Sequence, residues 1–192
     1  MIDTREKLSA LSIGLHWLIG LTMIGMVVFG MIIADMPTPD AASKAAKGFY
    51  IGIHKSIGVL VLVFAAWRLW RRMRQGLPQH VGNYKAWEQS LAKFVHYFLL
   101  FATLALPLSG ILYSIGSARS VDVFGVTVIP KLLTEKHALL ASVSRETHGI
   151  MGKLLLLAVA FHIAGALKHH IVDRDGTLRR MLGARVEPNK HA

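Results

Sequence analysis

Four stretches of this chain are too long and too apolar to be the interior of a water-soluble domain of its size. They run from about Leu8 to Ala34, Gly48 to Trp70, Leu91 to Ser114 and His148 to Leu167. Roughly 20 apolar residues of α-helix cross a hydrocarbon core about 30 Å thick, and each stretch is long enough. The mean hydropathy of +0.46 agrees. The expected fold is all-α: an integral membrane four-helix bundle, with residues 1–192 forming one transmembrane domain.

The formal net charge is +11. In a soluble chain this would suggest nucleic acid, but here the membrane accounts for it, and no nucleic-acid partner is expected. Lys and Arg concentrate in the segments between apolar blocks, where their asymmetry sets orientation. One side carries fourteen: Arg5 and Lys7; Arg68, Arg71, Arg72, Arg74, Lys85 and Lys93 around the second loop; and Lys168, Arg174, Arg179, Arg180, Arg185 and Lys190 after the fourth block. The other carries eight: Lys44, Lys47, Lys55, Arg119, Lys131, Lys136, Arg145 and Lys153. Both termini are therefore expected in the cytoplasm. The first apolar block is too long for the h-region of a cleavable signal peptide. With no cysteine in the chain, thiolate-ligated iron–sulfur clusters, disulfides and covalently attached haem are excluded.

Punctuation along the chain is sparse. Pro37 disfavours helix in the residue before it, so the first helix should stop near Asp35, followed by a short external loop over 37–47. Gly76, Pro78 and Gly82 mark a loop over 73–90, and Pro107 should kink the third helix. The longest link runs from Gly116 to Glu146. Within it, Ser120 to Val128 reads as a short hairpin or a cap over the bundle.

Histidine carries the chemistry. His16, His54, His96, His148 and His162 all fall inside apolar blocks, where an ionisable side chain marks a functional site by default. One such histidine could simply hydrogen-bond across helices. Five are harder to explain that way. His148 and His162 are 14 residues apart, about 21 Å along a helix axis and within about 40° of one face. That spacing sets two ligands in a column, one in each leaflet. His16 lies level with His162, and His54 with His148. The expected pairs are His16–His162 and His54–His148. His96 is level with the first pair. It is an alternative to His16, or a partner for a haem propionate or a quinone. Gly20, Gly58, Gly152 and Ala166 each follow one of the four paired histidines by four residues, on the same face. They leave room for a flat ring, although close helix packing would also select small residues there. Zinc fits poorly, because no carboxylate or cysteine accompanies the histidines within the blocks. His80, His137 and His191 read as loop or tail residues.

Several segments resemble the bacterial cytochrome b561 family: Leu15-His16-Trp17-Leu18, Ile53-His54-Lys55-Ser56-Ile57-Gly58, Val121-Asp122-Val123-Phe124-Gly125, and Ala166-Leu167-Lys168-His169-His170 with the run from Asp173 to Met181. The resemblance extends over essentially the whole chain. It implies a four-helix bundle with two b-type haems in its core, in the bacterial inner membrane, with axial ligands His16, His54, His148 and His162. It also implies electron exchange with ubiquinone. Some members oxidise superoxide at the outer face, while others relay electrons to partner proteins, so the resemblance leaves the donor and any protein partner open.

The external basic residues acquire a meaning in that light. Lys55 and Arg145 flank the expected outer haem and would draw in an anion such as superoxide. Alternatively, they pair with haem propionates, lipid headgroups or loop carboxylates. His96, His169 and Lys168 are the residues expected near a quinone at the cytoplasmic ends. Asp173 and Asp175 could deliver protons, or cap a helix. A superoxide:ubiquinone oxidoreductase is the leading reading, an electron relay the second, and a haem-free transporter or structural membrane protein the third.

Overall fold

The computed structural model describes residues 3, 4, 6–76, 81 and 84–187. Four long helices dominate it: α1 (Ala10–Asp35), α2 (Ala41–Gln75), α3 (Ala86–Gly116) and α4 (Ala138–Ile171). All four are long and apolar enough to cross a membrane. A two-stranded antiparallel hairpin, β1 (Val121–Val123) and β2 (Val126–Ile129), links α3 to α4, and a short α5 (Thr177–Met181) follows α4. The expected all-α membrane bundle is therefore present, and the only strands among the described residues are those of this hairpin.

Two helices begin well before their apolar stretches. α2 starts at Ala41 rather than near Gly48, and α4 starts at Ala138 rather than His148. Apolarity measures how much of a helix lies in hydrocarbon, whereas its length follows from propensity and capping. At α2, Asp40 accepts from the Ser43 N–H (2.8 Å) and the Ser43 hydroxyl closes a capping box; four alanines favour helix across the polar overhang. At α4, His137 Nδ1 accepts from the Leu140 N–H (3.2 Å), so this histidine is an N-cap rather than a plain loop residue. The external loop expected over 37–47 shrinks accordingly, as does the long link between α3 and α4. Lys47 closes the gap after α1 by donating to the carbonyls of Ala34 (3.1 Å) and Met36 (2.9 Å), which a helix C-terminus leaves unpaired. α3 continues through Pro107, whose missing N–H removes one intrahelical bond. His80, His191, Pro78 and Gly82 lie outside the described residues.

The N-terminus of α1 and the C-terminus of α4 lie at one end, here the termini end; β1–β2 lies at the other, the hairpin end. Between them Leu15, Ile19, Met23 and Val27 of α1 form an i, i+4 row. They pack on Val61 and Ala65 of α2, Ala102 and Leu106 of α3, and Leu155 of α4. Leu18, Leu21, Val63, Phe101, Leu157 and many other large apolar residues face outward. In water such a surface would aggregate; in a bilayer it is the lipid-facing side.

The termini end is tied together by ions. Asp3 accepts from the Ser9 N–H (2.9 Å), the Ser12 hydroxyl (2.7 Å) and Arg72 Nη1 (2.8 Å), joining the N-terminal segment to α2. Burial alone would push its carboxyl up, but these hydrogen bonds bring it down from 3.8 to about 2. The folded value lies below the unfolded one, so the stabilisation is complete above about pH 4 and disappears as pH falls through about 2. Asp3→Asn should cost about 1–2 kcal/mol at neutral pH, allowing for screening near the surface. The difference in thermal unfolding between variant and parent should close near pH 2. A difference of the same size at both pH values would rule out the clamp.

Candidate haem centres

Helix geometry turns the expected column into a frame common to all four helices. Each carries two residues 14 apart that lie at the two histidine levels: His16 and Gly30 on α1, His54 and Arg68 on α2, His96 and Gly110 on α3, His148 and His162 on α4. A repeat of 14 returns to nearly the same face after four turns.

At the hairpin-end level the rings of His54 and His148 are 6.0 Å apart between centroids, with their planes at 75°. His148 Nδ1 lies 2.9 Å from the Leu106 carbonyl and 3.1 Å from the Ser109 hydroxyl. A carbonyl can only accept, so the proton belongs on Nδ1 and the Nε2 lone pair is left free, the tautomer an axial ligand needs. His54 Nδ1 is buried without a hydrogen-bond partner. A side chain at either of two facing glycines would crowd these rings. A Cβ on Gly30 would come within 3.0 Å of His54 Cε1, and one on Gly110 within 3.2 Å of His148 Cε1.

At the termini-end level His16 and His162 are 5.9 Å apart between centroids, with planes at 59°. His96 also touches His162, at 5.2 Å and nearly perpendicular, so the structure brings both candidates against the same partner. The guanidinium of Arg68 reaches His16 Nδ1 at 3.2 Å. The small residues expected beside the histidines behave unevenly. A Cβ on Gly20 or Gly58 would meet nothing within 4 Å, whereas one on Gly152 would touch Val27 at 3.5 Å.

The matching family model, described as prokaryotic cytochrome b561, covers residues 7–184. The chain belongs to the prokaryotic cytochrome b561 family. Two relatives from Escherichia coli (strain K12) carry the names cytochrome b561 homolog 2 and homolog 1. The first is 28% identical over 94% of this chain and 94% of its own length. The second is 34% identical over 69% of this chain and 74% of its own length. A probable superoxide oxidase CybB from Yersinia pestis is 28% identical over 92% of this chain and 96% of its own. This member of the family is thus a multi-pass bacterial membrane protein of electron transfer, and the family binds b-type haem.

The histidine pairs fit that group. An iron held between two imidazoles, with Fe–N bonds of about 2 Å each, separates the ring centroids by about 6 Å. The His16–His162 and His54–His148 separations match this, while the His96–His162 contact is shorter. The unpaired Nδ1 of His54 and the Nδ1–H tautomer of His148 are compatible with such a donor set.

The remaining expected site residues divide between the two ends. Lys55 donates from Nζ to the Ser120 carbonyl (3.0 Å), and Ser56 Oγ accepts from the Phe124 N–H (2.9 Å), so the pair anchors the hairpin on α2. Asp122 lies close to Lys55, its carboxyl held below the ordinary range by hydrogen bonds from Thr127 and Ser120. The hairpin turns tightly at Phe124 (φ 47°) and Gly125 (φ 89°), the two left-handed positions of a type I′ turn. Arg145 is exposed and lines a cavity of about 130 Å³ with Tyr113, Lys136 and Glu146, among others. Lys55 does not line this cavity.

At the termini end Lys168 Nζ bonds Glu88 (2.7 Å) and Asp173 (2.8 Å), bridging α4 to α3. The His169 ring lies 4.1 Å from that of Tyr84, with Nδ1 2.7 Å from Asp173 and 3.2 Å from Asp175. Asp175 also accepts from the Thr177 N–H (2.8 Å) at the start of α5, so the turn role expected of it is present. The sequence reading missed Gly30, Arg68 and Gly110. The signal that could have found them is the 14-residue spacing from His16, His54 and His96.

Proposed function

We propose that this single-domain cytochrome oxidises superoxide at its hairpin end and delivers the electrons to ubiquinone at its termini end. His54 and His148 would hold one haem b, and His16 and His162 a second. The excess of Lys and Arg at the termini end favours an inner-membrane orientation with both termini in the cytoplasm, which makes the hairpin end periplasmic. The observation that carries this reading is the pair of histidine couples, one at each level, with centroid separations of 6.0 and 5.9 Å. The resemblance to a probable superoxide oxidase supports the choice of donor.

Bound haem supplies one-electron redox chemistry, and the chain's residues decide what reaches it. Two superoxide anions each give up one electron and leave as dioxygen. One ubiquinone takes both electrons with two protons and becomes ubiquinol. At the hairpin end Arg145 and Lys136 supply positive charge that concentrates an anion; Lys55, facing Asp122, contributes less. At the termini end His96, His169 and Lys168 lie where a quinone would receive electrons and protons, with Asp173 and Asp175 behind His169.

The engagement of Lys55 by the hairpin and Asp122 favours a second reading, in which the protein relays electrons between the quinone pool and a periplasmic partner. Purified protein mixed with superoxide separates the two. Rapid haem reduction that ubiquinone then reverses supports the oxidase, and no reduction leaves the relay. Arg145→Gln should slow superoxide-driven reduction about three- to tenfold and flatten its salt dependence, because only charges within about 8 Å of the path escape screening at physiological salt. Reduction by ubiquinol should be unaffected. Equal slowing with both donors would make Arg145 a haem-anchoring residue instead.

A further inference from the structure

Two arginines at the termini end have no anionic partner among the described residues. Arg68 lies on α2 at the level of His16 and His162, 14 residues after His54. Its Nη2 touches His16 Nδ1 and its Nε is buried without a partner. Arg71, one turn further on, reaches the Ser9 hydroxyl at 3.4 Å with Nη2, and its Nη1 is buried and unpartnered. Their neighbour Arg72 differs, being paired with Asp3 at 2.8 Å. A guanidinium nitrogen buried without a partner is costly, so one on each of two half-buried arginines a turn apart points to an anion from outside the chain.

The contact with His16 sharpens this. A guanidinium only donates, so a hydrogen bond from Arg68 requires a lone pair on His16 Nδ1. An imidazole that coordinates iron through Nε2 carries its proton on Nδ1. The two states exclude each other, and ligation by His16 releases Arg68 to another acceptor.

We propose that Arg68 and Arg71 form the binding site for the propionate carboxylates of the termini-end haem. The inference rests on the assignment of His16 and His162 as the ligands of that haem. Arginine suits the role because its fork matches a carboxylate. Positive charge beside a haem also favours its reduced form, so the pair would draw electrons toward the quinone end.

Spectroelectrochemical titration of the purified holoprotein tests this. His148→Ala identifies the bands of the termini-end haem. Wild-type protein holding fewer than two haems would defeat the dihaem assignment itself, a result separate from those below. Arg68→Gln should lower the reduction equilibrium constant of the termini-end haem at least tenfold, or about 59 mV for one electron, and leave the other haem unchanged. Arg68→Lys should restore most of it. Arg71→Gln should give a smaller shift in the same direction. Arg74→Gln removes the same charge from an exposed site over Trp70 and should move neither haem. Unchanged potentials in both the Arg68→Gln and Arg71→Gln proteins would overturn the proposal, as would an equal shift in Arg74→Gln. If Arg68→Gln loses both haems, Arg71→Gln decides: a selective shift supports the site, and no shift overturns it.

Discussion

Replacing His148 by alanine is expected to remove one of two haems and leave the other with its spectrum intact. The paired ring, His54, belongs to the same level, so His54→Ala should give the same product. His16→Ala and His162→Ala should give the complementary one, retaining only the hairpin-end haem. The levels lie about 21 Å apart along the helices with the apolar cluster around Ile19, Met23 and Leu155 between them. The loss of one haem should therefore not carry over to the other. Haem-to-protein ratios and reduced-minus-oxidised spectra of the purified variants measure this. His96→Ala is the discriminating control. It should keep both haems, because its contact with His162 is shorter than an iron-bridged pair allows. A His96→Ala protein with one haem beside a His16→Ala protein with two would reverse the assignment at the termini end.

Gly30→Val should be nearly as damaging, at a position that holds no ligand. A single Cβ there already comes within 3.0 Å of His54 Cε1, and two further methyl groups cannot be absorbed by a ring held between helices. The hairpin-end haem should be lost while the termini-end haem stays. Gly30→Ala should retain that haem at reduced occupancy, since a shift of a few tenths of an ångström relieves one methyl. Gly110→Val should mirror Gly30→Val through His148. Pyridine haemochrome analysis of the three proteins gives the answer. Full occupancy in Gly30→Val would mean that His54 does not keep this position when haem is bound.

These effects show how far the chain could be understood before its structure. The apolar stretches located all four crossings, because hydrocarbon tolerates few alternatives to an uninterrupted apolar helix. They failed at the starts of α2 and α4, where Ala41–Lys47 and Ala138–Thr147 lie beyond the apolar stretches. There, capping by Asp40 and His137 extends the helix without an apolar signal. Pairing the histidines by level set His54 opposite His148 and His16 opposite His162; the structure brings these rings to 6.0 and 5.9 Å, and brings His96 to 5.2 Å from the same His162. The 14-residue frame was visible only on α4, where both members are histidine. On α1 and α3 the second member is glycine: the spacing marks the position, but the need for glycine comes from a ring on another helix. Arg68 was read as an orientation signal, since its contact with His16 joins residues 52 apart in the chain. The choice between His16 and His96 is equally non-local: both lie at one depth, and only their distances to His162 separate them. Lys55 lost its apparent freedom because the Ser120 carbonyl and Asp122 come from a hairpin whose docking depends on tertiary structure.

The most direct test of the proposed electron path is the initial rate of haem reduction in His148→Ala, compared with wild type, using superoxide and ubiquinol as separate donors. Superoxide should reduce both haems of the wild-type protein. In His148→Ala the remaining termini-end haem should still be reduced by ubiquinol, and its reduction by superoxide should fall by at least tenfold, because its entry point at the hairpin end is gone. Superoxide reducing the His148→Ala haem at the wild-type rate would contradict the account, since the electron would then enter without the hairpin-end centre.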